Sequence, residues 1–343
     1  MTYLDLYGRD LITTQDWGIE EIEEALRIAT EFKRTYRQGK KLPQTLDRKN
    51  FFMVFYGSST RTRAAFEAGT TLLGGHAAFV DVSTTRIGAG EADRDVAKMY
   101  EKYGHGIGVR ILDDVIDYKY GLGNRIIREY ALNAEIPVIN MACCTYHPTQ
   151  GMADFMTVRE KLSRVQGKKY VIMWGYSKKF RGRCSIQEEA LIMTRFGMDV
   201  VLAHPKGFEI DNEIIDAAKE NIIVAGGSFE ATNDYRSALE GANAVFPRNW
   251  ASAALLREGA SKFGAENEGL LHSKHKDWTL TQELVELMDK HGIVTHVLPV
   301  LRGEEATDEV MDGPNSVIYD QAENGMYTKM AVLALTLNKD PMG

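Results

Sequence analysis

With 343 residues, 44% of them hydrophobic and 26% charged, the chain is long enough for two cores of ordinary domain size. Its 41 basic against 48 acidic side chains give a net charge of −7, which argues against general nucleic-acid binding and makes any basic cluster a local device for a small anion. Cys143, Cys144 and Cys184 cannot all pair and match no zinc spacing. The N-terminus MTYLDLYGRD has no signal pattern and no apolar run reaches membrane-spanning length, so a cytoplasmic protein with no metal, organic cofactor, membrane or nucleic-acid partner is expected.

Short apolar runs alternate with amphipathic segments along the whole chain. In order, strands are expected at Phe51–Tyr56, Ala77–Val82, Ile107–Ile111, Pro137–Met141, Tyr170–Trp174, Asp199–Ala203, Ala244–Phe246, Ile293–Leu298 and Ser316–Tyr319. Helices are expected at Gly18–Tyr36, Arg61–Leu73, Glu91–Tyr103, Gly151–Ser163, Ile186–Phe196, Asn212–Glu220, Thr281–His291 and Ala322–Leu337. Continuous apolar strands joined by helices predict an α/β protein with two doubly wound parallel sheets. The polar stretch Ser163–Lys169 is a candidate boundary. The expected organisation is 1–150, 151–321 and a final helix, 322–343, returning to the first half.

In open parallel sheets, ligands bind beyond the carboxyl ends of the strands. Three segments there combine arginine, histidine, glutamine and hydroxyls: GSSTRTR after the first core strand, CCTYHPTQ after Pro137–Met141, and LPVLR after Ile293–Leu298. Ser58–Arg63 reads as an anion cradle. Ser59 is the expected N-cap, and the free N–H groups of the first helical turn join the hydroxyls of Ser59, Thr60 and Thr62. Arg61, with Arg63, stands against the helix dipole, which a capped solvent-facing helix does not call for. The segment is no P-loop, and Gly121–Gly123 lacks the third glycine of a dinucleotide turn.

The segment SSTRTR resembles the carbamoyl-phosphate signature of the aspartate and ornithine carbamoyltransferases. His147-Pro148-Thr149-Gln150 is similar to that family's H-P-x-Q, Arg110 to its carbonyl-polarising arginine, and His296-Val297-Leu298-Pro299 to H-C-L-P. The resemblance covers essentially the whole chain. It implies transfer of a carbamoyl group from carbamoyl phosphate to a primary amine, with phosphate released and no covalent enzyme intermediate. Ser58, Ser59, Thr60, Arg61, Thr62 and Arg110 would bind carbamoyl phosphate, with Thr62, Arg110 and His147 meeting the developing oxygen charge. Gln150 and the Leu298 carbonyl would orient the carbamoyl NH2. His296, Val297, Leu298 and Arg302 would lie on the acceptor side. A homotrimer with shared sites is the implied assembly.

PVINM, RFGMDVVLAHPKGF and ATDEVMDGPN resemble the knotted branch, the N-acetylornithine, N-succinylornithine and YgeW-type carbamoyltransferases, which implies a trefoil knot in the second domain. The D-x-x-x-S-M-G loop that closes over free ornithine is absent, and FPRNWASA (Phe246–Ala253) stands in its region. Arg248 and Trp250 are therefore acceptor candidates, and an amino-acid-like acceptor other than plain ornithine is expected. An ornithine enzyme with an atypical loop and a non-catalytic binding paralogue are the rivals. Val297 replaces the family cysteine, and Gly325 falls where relatives often carry an arginine for carbamoyl phosphate. Arg86, in a loop expected to reach a neighbouring subunit's site, is the candidate replacement cation.

Overall fold

The structure, a computed structural model, describes residues 3–342. The run NFFMVF forms β1 (Asn50–Phe55), flanked by β2 (His76–Asp81), β3 (Gly106–Ile111) and β4 (Val138–Cys143) in the order β2-β1-β3-β4. Every pairing is parallel, so each connection must cross over, and the apolar strands require cover on both faces. The helices of this part are α1 (Ile19–Arg37), α2 (Arg61–Leu72), α3 (Asp93–Tyr103), α4 (Leu122–Asn133) and α5 (Pro148–Leu162). Helix α4 was not foreseen from GLGNRIIREYALN, although Ile127 and Tyr130 are buried at helical spacing. Its start explains the two glycines: Gly121 has φ +81°, and a Cβ at Gly123 would fall 2.7 Å from the Ile111 carbonyl oxygen.

A second parallel sheet has the order β7-β6-β5-β8-β9. Its strands are β5 (Lys169–Trp174), β6 (Asp199–Ala203), β7 (Ser228–Thr232), β8 (Ala244–Arg248) and β9 (Ile293–Val294). The edge strand β7 has no buried residue, hence no apolar run by which to recognise it. Helices α6 (Cys184–Arg195) and α7 (Asn212–Ala225) pack together. The short helices are α8 (Tyr235–Leu239), α9 (Ala253–Glu258), α10 (Ala260–Phe263), α11 (Ala265–Ser273), α12 (Gln282–Val285) and α13 (Asp308–Asp312), and the chain closes with the long helix α14 (Ile318–Leu337).

Two expected strands shrink. Ile293–Leu298 is extended only over β9, because the backbone turns at Leu298, whose φ is +57° before a cis bond to Pro299. Ser316–Tyr319 makes a single bridge, Ser316 to Val294, since α14 starts at Ile318. The expected helix Thr281–His291 is helical only over α12.

The chain divides into two compact units. Unit 1 comprises Met1–Ile116, Gly121–Ala153 and Ala322–Gly343, and unit 2 comprises Asp117–Tyr120 and Asp154–Gln321. Apart from the short excursion Asp117–Tyr120, the divisions fall inside α5 and α14, and none falls in the polar Ser163–Lys169 segment.

Candidate active site

In unit 1 the cradle grows out of the β1–α2 junction. The expected cap at Ser59 is not formed: the residue before α2 is Thr60, and its side chain makes no capping bond. The first turn contains no acidic residue either, so the helix offers its N-terminal amides with neither of the usual side-chain neutralisers. Arg61 is exposed in that turn and Thr62 is buried. Arg63 turns aside, its Nε donating to Glu67 at 2.9 Å and its guanidinium stacking 3.6 Å from the centre of the Phe79 ring. Its guanidinium is thus engaged along α2 and β2, and Arg61 is the exposed arginine of the first turn.

Arg110 reaches the same loop from the neighbouring strand. The register between β3 and β4 shifts between Val109 and Arg110, the kind of irregularity that re-aims a side chain at a sheet end. Its Nη1 donates to the Ser58 carbonyl at 2.9 Å. Strand β4 then delivers the third segment. The Cys143 sulfur accepts from the backbone N–H groups of Thr145 (3.4 Å) and Tyr146 (3.1 Å), while the Cys143 N–H donates to the Tyr146 carbonyl at 2.9 Å. That closed turn leads into His147, whose carbonyl accepts from Gln150 and Gly151, each at 3.0 Å. Pro148 opens α5, where its missing N–H costs nothing. His147 and Gln150 thus share one helix start, both half-buried. Arg86 lies exposed between β2 and α3, its carbonyl accepting from Ala89 and Glu91.

Unit 2 gathers its polar groups beyond the ends of β8 and β9. Glu305 is wholly buried and takes the Asn249 N–H on Oε1 and the Leu301 N–H on Oε2, both at 2.8 Å. Arg248 Nη1 lies 3.5 Å from its Oε1, and His296 Nε2 lies 3.6 Å from its Oε2. Burial pushes the Glu305 carboxyl up, but His296, Arg248 and the Leu301 N–H outweigh it and hold the group at about 2. His296 has its own pKa lowered, chiefly by burial. Its Nδ1 accepts the Leu298 N–H at 2.8 Å, so that nitrogen carries no proton. Val297 and Leu298 are half-buried, and Pro299 after them is exposed.

Three of the acceptor-side candidates are engaged within the protein. Trp250 is fully buried, its indole N–H donating to the Phe208 carbonyl at 2.7 Å, and is a core residue. Arg302 is held by Asp308 and by both oxygens of Asp312 at 2.7–2.9 Å, so its guanidinium fork is already filled by carboxylates. Arg248 is buried, facing Glu305 and the Pro299 carbonyl, and supports the turn from within. FPRNWASA as a whole is drawn inward: Asn249 donates to the Gly175 carbonyl, and the Ser252 hydroxyl and N–H both reach buried Glu268.

Two family profiles together cover most of the chain. Residues 9–160 match the profile for the carbamoyl-P binding domain of aspartate/ornithine carbamoyltransferase, and residues 166–336 match that for its Asp/Orn binding domain. The chain is 34% identical to an ornithine carbamoyltransferase of Halalkalibacterium halodurans over 97% of both chains. To an N-acetylornithine carbamoyltransferase of Xanthomonas axonopodis pv. citri it is 30% identical over 98% of both. Among solved structures, ornithine carbamoyltransferase from Pyrococcus furiosus superposes with a TM-score of 0.85 at 33% identity, covering 97% of this chain and 98% of that one. An acetylornithine transcarbamylase complexed with acetylcitrulline gives 0.86 at 30%, covering 96% and 99%.

The chain belongs to the aspartate/ornithine carbamoyltransferase family. This carbamoyltransferase is an enzyme of two parallel α/β domains, as the motifs implied. Overall identity does not select an acceptor, because relatives of both acceptor classes match over nearly the full length. Sequence reasoning missed Glu305 in this carbamoyltransferase. The signal for it was the need of two basic side chains, Arg248 and His296, for a counter-charge if both were to be buried.

Proposed function

We propose that this carbamoyltransferase moves the carbamoyl group of carbamoyl phosphate to the primary amine of an amino-acid-like acceptor other than free ornithine, an N-acylated ornithine-type compound being the favoured class. The neutral amine attacks the carbamoyl carbon, the bond from that carbon to the phosphate oxygen breaks, and the proton the amine loses passes to the departing phosphate. Phosphate leaves as an anion held by the α2 N-terminus with Ser58, Ser59, Thr60, Arg61 and Thr62. Arg110 and His147, with Thr62, stabilise the carbonyl oxygen as it gains charge, and Gln150 and the Leu298 carbonyl orient the NH2 group. His296 holds the turn on which Val297 and Leu298 meet the acceptor. The working assembly in this reading is a homotrimer.

The observation that carries the transfer reading is the uncapped, acid-free N-terminus of α2 with Arg110 bonded to the Ser58 carbonyl. What favours an acceptor other than ornithine is FPRNWASA, in which Asn249, Trp250 and Ser252 are all committed to internal bonds. The test is formation of a ureido product from carbamoyl phosphate with ornithine, N-acetylornithine, N-succinylornithine, putrescine, lysine, 2,3-diaminopropionate and aspartate. Turnover of an N-acylated ornithine and not of ornithine supports the reading. Preference for ornithine overturns the acceptor assignment.

A further inference from the structure

We propose that Gln321, held by the buried Asp154–Glu189 carboxyl pair, is a positioning residue for the turn His296–Leu298. The proposal rests on the reading of the Leu298 carbonyl as a group that orients the carbamoyl NH2. Gln321 serves two partners with one amide: its Oε1 accepts the His296 N–H at 2.8 Å, and its Nε2 donates to Asp154 Oδ1. The His296 N–H fixes which end of the amide is oxygen, so Asp154 is an acceptor at the other end. Asp154 in turn hydrogen-bonds Glu189, and Glu189 Oε2 accepts the Tyr170 hydroxyl at 2.9 Å. The Tyr170 oxygen is 3.4 Å from Thr295 Oγ1. Thr295 and His296 are adjacent in the chain, so these contacts close a ring. All of its members lie in unit 2, and none is more than 1% exposed.

The turn needs such support. Leu298 has φ +57°, which a non-glycine residue holds only where its surroundings impose it. The constraint comes through His296, whose Nδ1 accepts the Leu298 N–H at 2.8 Å and whose own N–H is the bond to Gln321. One residue earlier, the Thr295 N–H and hydroxyl both donate to the Val245 carbonyl, at 2.9 and 3.2 Å, which ties the approach to β8. The carboxyl pair completes the ring with a single proton. Two carboxylates in contact away from water cannot both ionise. Among the described residues no N–H or O–H donor reaches Glu189 Oε1, so the proton of the Asp154–Glu189 bond is Glu189's own. Burial, and then the charge of Asp154, push the Glu189 carboxyl well above the ordinary carboxyl range. The donors then run in order: Tyr170 to Glu189, Glu189 to Asp154, Gln321 to Asp154, and the His296 N–H to Gln321. A buried ring whose members are all satisfied rigidifies what it holds, and loss of one donor leaves an acceptor stranded out of water.

The test measures kcat, KM and the carbamoyl-phosphate thermal shift for the wild-type enzyme, Gln321→Met, Glu189→Ala and Glu189→Gln. The substrates are carbamoyl phosphate and the amine of the panel above that the wild type turns over fastest. Gln321→Met keeps the side-chain volume and removes both hydrogen bonds. Its kcat should fall roughly ten- to a hundredfold, the scale of loss when an orienting group is misplaced, while the carbamoyl-phosphate shift is retained. A merely structural role would lower melting temperature and leave the kcat of the folded enzyme as it was. Glu189→Ala deletes the donor to Asp154 and should lose kcat likewise. Glu189→Gln, whose amide can donate in its place, should restore it. Wild-type kcat in Gln321→Met, or equal losses in the two Glu189 variants, overturns the inference. The Glu189 contrast decides alone if Gln321→Met does not fold. Turnover of no amine by the wild-type enzyme overturns the transfer reading itself, a result distinct from the first.

Discussion

Arg110 Nη1 and the Ser58 carbonyl oxygen are 2.9 Å apart, which ties the end of β3 to the loop that opens α2. The bond uses one edge of the guanidinium to hold the loop and orients the rest of the group beside it. In the proposed reaction, one side chain would in this way fix both the phosphate-binding loop and the carbonyl-polarising charge. Preorganisation of this kind lowers a barrier because the dipoles need no rearrangement when charge develops.

Replacing Arg110 by methionine removes both functions. We expect kcat to fall about 10²- to 10³-fold, the range seen when one oxyanion donor is deleted. The thermal shift from carbamoyl phosphate should shrink as well. Unchanged kcat in steady-state assays would rule out a catalytic role.

Glu305 makes stability sensitive to acid. Its pKa is about 2 in the folded chain against an ordinary 4.5, so between those values the unfolded chain binds more protons. The stabilisation is complete above the unfolded value and is lost as pH falls toward about 2. Glu305→Gln should therefore destabilise the protein at pH 7, with the difference from wild type narrowing as pH falls from about 5 toward 2. Urea midpoints of the two proteins across that range are the check, and parallel curves would contradict the assignment.

Trp250 and Arg302 should behave oppositely to acceptor ligands. Trp250→Ala opens a cavity in the core of unit 2 and should destabilise by about 3–5 kcal/mol. Arg302→Ala breaks exposed pairs and should change stability by less than about 1 kcal/mol, leaving the acceptor KM as it was. A large rise in that KM would restore Arg302 to the binding site.

The attacking amine must be unprotonated. At subsaturating acceptor the rate should rise with pH toward the pKa of the amine, near 10 for an alkyl ammonium. A pH–rate profile with the acceptor well below its KM reads this directly, and a flat profile from pH 7 to 9 would exclude the neutral-amine mechanism.

Much of this was legible because the chemistry sits where apolar strands end. Phe51, Val109 and Met141 announce β1, β3 and β4, and the polar residues after them mark the site. Position was readable where a motif met a strand end; direction was not. Trp250 follows β8 just as an acceptor residue would, yet its indole points inward to Phe208, and a sequence carries no sign of that choice. Ser59 has the right chemistry for a cap, but the helix begins one residue later, at Arg61. Strand β7 was invisible because none of its five residues is buried and so no apolar run marks it.

The division of the chain inside α5 and α14 has a consequence for biosynthesis. The residues from Ala322 onward belong to unit 1, yet the ribosome makes them only after the whole of unit 2. Through that interval Gly69 and Phe66 on α2 wait without Met330 and Lys329, and an apolar flank of the nascent first unit stays open. A stalled message or a premature stop just before codon 322 would yield a second unit with its full complement of strands and a first unit lacking its covering helix. Such fragments would expose apolar surface of the kind that chaperones and proteases act on, so the first unit can be completed only with the last stretch of translation.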